Sequence, residues 1–413
     1  MSRVQMIRRI SHLRIHQKIR AMMMVPMMRI RAVMNKKRTP LELYIHIPFC
    51  VKKCRYCDFL SGPSDQETRD RYIEALLAEI RAVQNAERYE IVSVFIGGGT
   101  PSVLKAETIA SVMEAIYRKF SFSADAEVTI EANPGTVDLE KLTIYRRTGI
   151  NRLSLGLQST DPDELKMLGR IHSYEDFIQS YQQAREAGFD NINIDMMFAI
   201  PGQSGEAWRQ HLHQVAELKP EHISAYSLII EEGTPFAQRE LDLPDEDTEY
   251  QMYEDTAAVL EEYGYQQYEI SNYAKKGHVC RHNIGYWKGT EYLGLGLGAS
   301  SLYEGKRFSN TAKMQEYLKF SGNAECIRKD VVELSRKDRI EEFMYLGLRM
   351  TEGISEMDFE QNFGEKLSDI YGTVLQKYKE TGFLEKIGTN WRFTRKGIHV
   401  SNHILAEFLL DEE

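Results

Sequence analysis

Tyr44-Ile-His-Ile-Pro-Phe-Cys50-Val-Lys-Lys-Cys54-Arg-Tyr-Cys57 sets three thiols at C-x3-C-x2-C directly behind an apolar run. Leu43 to Pro48 reads as a strand, which puts the thiols in the loop at its C-terminal end. A cubane iron–sulfur cluster has four irons, and a loop offering three thiolates leaves the fourth iron open to an outside chelator. The amino and carboxylate groups of S-adenosylmethionine fill such a position, and an electron from the cluster then cleaves its C–S bond to a 5′-deoxyadenosyl radical. Cys50, Cys54 and Cys57 are therefore expected to hold a [4Fe-4S] cluster. Structural zinc wants four closed ligands, and neither Cys280 nor Cys326 lies within a local ligand spacing. Thiols serving only as core filling do not suit a Lys-flanked turn.

Outward from this loop, short apolar runs alternate with longer amphipathic stretches, the pattern of strand–helix units around a parallel sheet. Strands are expected at Leu43 to Pro48, Val92 to Gly97, Glu127 to Ala132, Arg152 to Gln158, Ile192 to Phe198 and His222 to Ile230. Helices are expected at Gln66 to Ala86, Ala106 to Lys119, Tyr174 to Ala187 and Gly205 to Leu218. The predicted class is α/β, a partial (β/α)6 barrel of the TIM type, with function at the strand C-terminal ends. Beyond residue 237 come an acidic helix around Asp245 to Tyr263, a short strand Tyr265 to Ile270 and the block Cys280 to Ser301. From about Asp338 the chain is mainly helical and ends in two helices and a small β wing. Four segments result: a basic Met-rich extension over 1–38, the barrel over 39–237, a barrel-closing region over 238–330, and a winged-helix-like domain over 331–413.

Two domains suit 413 residues, and a 42% hydrophobic composition supplies a sizeable core without a disorder signature. No run approaches the roughly 20 apolar residues of a spanning helix, and five cysteines, three of them crowded together, suit a metal site in a reducing compartment. Residues 1–40 hold eleven Lys or Arg and no acid, leaving 41 bases against 61 acids thereafter, a net −20. So acidic a body repels a nucleic-acid backbone, and no such partner is expected. The wing does not reverse this, because residues 330–413 carry seventeen acids against eleven bases; a lid or docking role is preferred. The N-terminal extension, with eight of seventeen Met, admits three readings. It is untranslated sequence ahead of a true start at Met34, an Arg-rich organellar transit peptide, or a basic arm for a membrane surface or heme.

The second strand ends in Gly97-Gly98-Gly99-Thr100-Pro101, where glycines let backbone lie against a ligand. The third closes with Glu131-Ala-Asn-Pro, the fourth with Gly156-Leu-Gln158, and the fifth contains Asp195. Each alone is a common cap or turn residue; together they form a ring suited to ribose hydroxyls and an adenine edge. With Arg170, these motifs resemble the oxygen-independent coproporphyrinogen III dehydrogenase family of radical enzymes, and the resemblance runs from Leu41 to the C-terminus. It implies S-adenosylmethionine contacts at Tyr44, Tyr56, Gly98, Gly99, Thr100, Glu131, Gln158, Arg170 and Asp195. It singles out no catalytic residue.

One departure divides that family. Its decarboxylating members carry a further cysteine two places after the third ligand, where this chain has Phe59. Arg281-His282-Asn283-Ile-Gly-Tyr286-Trp287 instead resembles the His-Asn-x-x-Tyr-Trp signature of the related HemW heme chaperones. Imidazole is a standard axial iron ligand and aromatics stack on porphyrin faces, so His282, Tyr286 and Trp287 are heme candidates, with Cys280 a competing ligand. Gly294-Leu-Gly296-Leu-Gly298 lacks the dinucleotide spacing and reads as a tight strand edge near the ligand; His46 reads as packing inside the barrel or as a direct participant. The resemblance implies a heme chaperone delivering heme to apo-hemoproteins such as respiratory enzymes, served by an electron donor to its cluster. Whether it is also an enzyme stays open. The alternative is radical oxidative decarboxylation of coproporphyrinogen III. A cytoplasmic place is expected, with peripheral membrane contact allowed, or an organellar one if residues 1–33 are a transit peptide.

Overall fold

Six parallel strands succeed one another where the alternating pattern places them: β1 (Thr39–Ile47), β2 (Tyr89–Gly98), β3 (Ser121–Ala132), β4 (Arg152–Gln158), β5 (Ile192–Phe198) and β6 (His222–Ser227). The computed structural model describes residues 38–410, so all three readings of the basic extension lie outside the described residues. The helices crossing back between strands begin at acidic or hydroxyl caps. Asp65, Asp138, Ser173, Ser204 and Asp245 each accept an orphan N–H of the first turn, a contact worth about 1 kcal/mol per helix.

The sheet continues through β7 (Gln266–Gln267), β8 (Asn272–Ala274), β9 (Tyr292–Leu295), β10 (Ser300–Tyr303), β11 (Lys306–Asn310) and β12 (Arg328–Glu333). Its order is β12-β11-β10-β9-β1-β2-β3-β4-β5-β6-β8-β7. β9 lies parallel to β1, so a seventh parallel strand joins the six-unit barrel from a distant part of the chain. The Gly294 to Gly298 segment is thus no sheet edge: β9 is flanked by β1 and β10. A Cβ on Gly296 would stand 2.6 Å from the Tyr72 hydroxyl, which is why glycine is needed there. The strand expected over Tyr265 to Ile270 shrinks to β7, because the Glu269 carboxylate accepts the Ser271 N–H and turns the chain into β8. β6 ends at Ser227 instead of reaching Ile230; Leu228 N–H still donates to Phe198 O of β5, while the Leu228 and Ile230 side chains pack with Phe236 and Tyr56.

The two faces of the parallel strands differ in kind. Leu41, Leu43, Ile45 and Ile47 of β1 are fully buried, contributing about 2 kcal/mol apiece, and with Val94, Ile96, Val128, Ile130, Leu153 and Leu155 they join the main core cluster beneath the helices. The alternate positions carry Glu42, Tyr44 and His46, then Ser93 and Phe95, Glu127, Thr129 and Glu131, Arg152 and Ser154, Asn193 and Asp195, His222 and Ser224. Barrel interiors are ordinarily filled by branched aliphatic side chains; this one is polar. A second apolar cluster runs from Ile340 to Phe408, around the helix Leu367–Glu380 and a sheet of β13 (Ile354–Ser355), β14 (Leu384–Ile387) and β15 (Asn390–Phe393). The expected wing is therefore three-stranded.

Candidate functional site

The cysteine loop is cinched at its base, where Cys50 N–H donates to Gly62 O and Gly62 N–H to Pro48 O. Arg55 ties the loop to the barrel, its N–H and guanidinium donating to the carbonyls of Leu168 and Met167 and its own carbonyl accepting from Phe236. Tyr56 lies beneath the loop against Leu168, Met197 and Phe236. All three thiols are half-buried and free of disulfides. Among the described residues no three Cys, His or carboxylate groups converge on a single ion. A cubane takes one thiolate at each of three irons, so such convergence is not what it requires.

Thr100 and Arg170 reach the thiols from different strand ends. The Thr100 hydroxyl lies 3.5 Å from Cys50 Sγ and the Arg170 guanidinium 3.5 Å from Cys54 Sγ. Asn133 joins them, donating to Thr100 Oγ1 at 2.8 Å and accepting from Arg170 at 2.7 Å. Arg170 also donates to Gly156 O, and a Cβ at Gly156 would strike Asn133, Arg170 and Gln158. Gln158 ends its strand in a left-handed conformation with φ +74°. The chain Cys50–Thr100–Asn133–Arg170–Cys54 thus binds the loops after β1, β2, β3 and β4 around two cluster ligands. Asn133 is absent from the sequence-predicted set.

The glycines answer a packing need as well. A Cβ on Gly99 would fall 2.7 Å from the carbonyls of Ile47 and Phe49, and one on Gly98, at φ +101°, would enter the His46 ring. They let β2 close onto the cysteine loop, and Gly98 still faces the cavity. His46 packs and hydrogen-bonds: its Nε2 donates to Leu60 O at 3.0 Å, leaving Nδ1 to accept from the Tyr44 hydroxyl at 2.9 Å.

Of the carboxyls facing the barrel axis, Glu131 and Asp195 belong to the ring expected for the nucleoside. Glu131 accepts from Gly98 N–H at 3.1 Å; burial, then the Asp195 charge, push it up to about 8. Asp195 accepts from Ser154 and Asn193 and is also raised by burial. Acidic groups with hydroxyl and amide neighbours suit a ligand carrying ammonium and sulfonium cations and ribose hydroxyls.

The His-Asn-x-x-Tyr-Trp block forms the helix Arg281–Trp287. Glu127 of β3 accepts the N–H groups of Arg281 and His282, and the Cys280 thiol points at the same carboxylate. Cys280 is fully buried, its thiol pKa raised by burial, and it does not line the cavity. It is thereby removed as a competing ligand. His282 stacks on Phe95, with Nδ1 2.8 Å from Ser93 Oγ and Nε2 3.1 Å from Tyr286 Oη. Burial, then Arg152, lower its pKa to about 3, so the ring is neutral. A hydroxyl faces each ring nitrogen, and the tautomer in which Nδ1–H donates to Ser93 would leave the Nε2 lone pair facing Tyr286, an arrangement that suits an imidazole ligand. The Trp287 indole N–H, under the Arg349 guanidinium, has no partner among the described residues.

Both sets of residues meet in one cavity of about 610 Å³. Tyr44, Gly98 and Glu131 line it with Phe59 and Leu60 of the cysteine loop, and so do His282, Asn283, Tyr286 and Trp287. Parts of the chain some 240 residues apart share one space. Thr100 and Arg170 instead face a narrow cleft with Cys54 and Asn133.

Residues 44–215 match the sequence profile of the radical SAM superfamily, and residues 334–400 that of the HemN C-terminal domain. Heme chaperone HemW of Bacillus subtilis is 36% identical over 372 residues, covering 89% of this chain and 98% of that one. The chain belongs to the HemW heme chaperone family. Heme chaperone HemW of Lactococcus lactis is 37% identical, over 90% of this chain and 98% of its own. This chain is also similar in structure to coproporphyrinogen III oxidase from Escherichia coli, a radical SAM enzyme, superposing at a TM-score of 0.79 with 26% identity over 90% of each chain. As radical SAM proteins its members use a [4Fe-4S] cluster and S-adenosylmethionine. Among the described residues no helix is long and apolar enough to cross a membrane.

Proposed function

We propose that this protein binds heme in the 610 Å³ cavity beside its cluster and releases it to apo-hemoproteins such as respiratory enzymes. The observation that carries the reading is that His282, Tyr286 and Trp287 line the same cavity as Tyr44, Gly98 and Glu131, in a family whose members are named heme chaperones. Cys50, Cys54 and Cys57 would hold the cluster, which supplies a single electron to S-adenosylmethionine when both are bound. Thr100 and Arg170 donate to two of the thiols and fix the loop. Glu131, Asp195, Gln158, Tyr44 and Tyr56 with the glycine turn would seat the nucleoside. The neutral His282 ring, held by Ser93, offers Nε2 to the heme iron once Tyr286 turns aside, and Tyr286 and Trp287 supply flat apolar surface. Phe59, exposed at the cavity rim where the decarboxylating relatives have cysteine, disfavours oxidation of the tetrapyrrole side chains. An electron donor for the cluster and a cytoplasmic place with peripheral membrane contact complete the proposal. An organellar place follows if residues 1–33 are removed as a transit peptide. We retain the segments 1–38, 39–237, 238–330 and 331–413, the last supported by its own apolar cluster.

The test is anaerobic reconstitution followed by parallel heme titration and coproporphyrinogen III turnover. Heme binding without turnover is expected. Because the cavity is shared, adding S-adenosylmethionine should shift the absorption spectrum of bound heme, and His282→Ala should change that spectrum outright. Formation of protoporphyrinogen IX by the intact protein would overturn the reading.

A further inference from the structure

At the side of the cavity away from the cysteine loop, the lining changes in character. Tyr292 of β9, Leu302 of β10 and Arg307 of β11 stand opposite one another across three paired strands, and all three face the cavity. Arg307 is the one permanently cationic side chain among the lining residues. It is held by a two-pronged pair with Glu342 of the helix Arg336–Gly347, Nη2 to Oε2 at 3.0 Å and Nη1 to Oε1. Leu346, one turn along that helix, lines the cavity too. Glu342 is buried and the Arg307 side chain is 39% exposed, so the pair is anchored on one side and open on the other. A guanidinium has five N–H donors, of which a two-pronged carboxylate occupies two. Tyr286, Trp287 and Tyr292 line the cavity with Arg307, as do the rings of Tyr44, Phe59 and Phe95. A flat apolar ring with carboxylates along one edge matches that distribution.

We propose that Arg307, fixed in place by Glu342, anchors a carboxylate side chain of the tetrapyrrole bound in this cavity. The inference rests on heme being the cargo, and it adds which end of the ring faces which way: the acidic edge toward β11, the opposite edge toward the cysteine loop. Glu342 acts as a positioning residue, since it holds the guanidinium without facing the cavity. The carboxylate contact uses the planar fork of arginine, which a lysine ammonium does not reproduce.

The experiment compares heme with heme dimethyl ester, in which both carboxylates are esterified, by titrating the full chain after cluster reconstitution. Wild-type protein is expected to bind heme about tenfold more tightly than the ester. Arg307→Ala should lower heme affinity to the level of the ester while leaving ester affinity and iron content unchanged, and Arg307→Lys should restore part of the difference. Glu342→Gln, which frees the arginine charge but loosens its position, should retain a preference for heme over the ester. Equal affinity of the wild type for both probes would overturn the anchor while leaving the heme reading intact, and so would an equal loss of both in Arg307→Ala. Failure of the wild type to bind either probe would sink the heme reading itself. Were Arg307→Ala to fold poorly, as judged by its iron content, Arg307→Lys decides alone: a heme preference reduced below the wild type's supports the proposal, and one as large as the wild type's would refute it.

Discussion

Glu42 stands on the inner face of β1 with one carboxyl oxygen unpartnered among the described residues, 3.9 Å from His282 Nδ1. Burial, opposed by a hydrogen bond from Ser93 and aided by the Glu127 charge, pushes it up from 4.5 to about 9. A carboxyl with a raised folded pKa holds its proton more tightly folded than unfolded. Its contribution is therefore complete below the unfolded value near 4.5 and is lost as pH climbs toward about 9. Glu42→Gln, neutral at every pH and nearly the same shape, should match the wild-type apoprotein at pH 5 and melt a few degrees higher at pH 9. Thermal unfolding at the two pH values checks this, and a variant equally destabilised at both would show that Glu42 serves as a charge. Single residues also mark the limit of what the sequence reveals. The cysteine spacing is legible because its three ligands sit in one loop. Asn133 and Arg307 acquire their contacts from residues 33 to 37 positions away, and nothing near them in the chain distinguishes them from a turn asparagine and a strand arginine. A detectable signal did exist on the strands: acids and hydroxyls alternating with aliphatics, as in Glu127, Thr129 and Glu131, do not suit a parallel sheet covered on both faces by apolar core.

At the scale of elements, the helix Arg281–Trp287 has seven residues and no capping side chain of its own; it is held by docking. Glu127 takes its first N–H groups, Ser93 takes His282, and Gly285 lies against β1 so closely that a Cβ would stand 2.0 Å from the Glu42 carboxyl. Gly285→Ala should therefore lift the helix from the barrel, lowering heme affinity at least about tenfold while the iron and sulfide content stays at the wild-type level. Unchanged heme titration would mean that the helix tolerates the displacement or does not touch heme. The four readable barrel helices and six strands were legible because burial on one face imposes a period of two or 3.6. The helices Leu139–Arg147 and Pro162–Leu168 were not, since short segments carry too few turns to establish a period. Nor was β9, whose Gly-Leu-Gly-Leu-Gly run takes its strand character from β1 beside it.

The whole molecule is built around an interior that its own side chains do not complete. Glu42, Glu127, Glu131, Arg152 and Asp195 all face the barrel axis, and Glu42 Oε2, Thr129 Oγ1 and Arg152 Nε find no partner among the described residues. Buried groups of this kind cost on the order of 1–3 kcal/mol each when left unpaired. Ligands that enter the barrel do more than occupy a site, because they satisfy groups the folded chain leaves wanting, and any ligand binding only the folded form shifts the balance toward it. A carrier made this way reports its cargo through its own durability. Limited digestion with a nonspecific protease should cut the empty chain several times faster than the chain filled with cluster, nucleoside and heme, and equal lifetimes would show that the barrel stands without them. In a cell that difference amounts to quality control without a controller: copies that have lost their contents are the ones proteolysis reaches first, so the surviving pool is enriched in carriers with something to deliver.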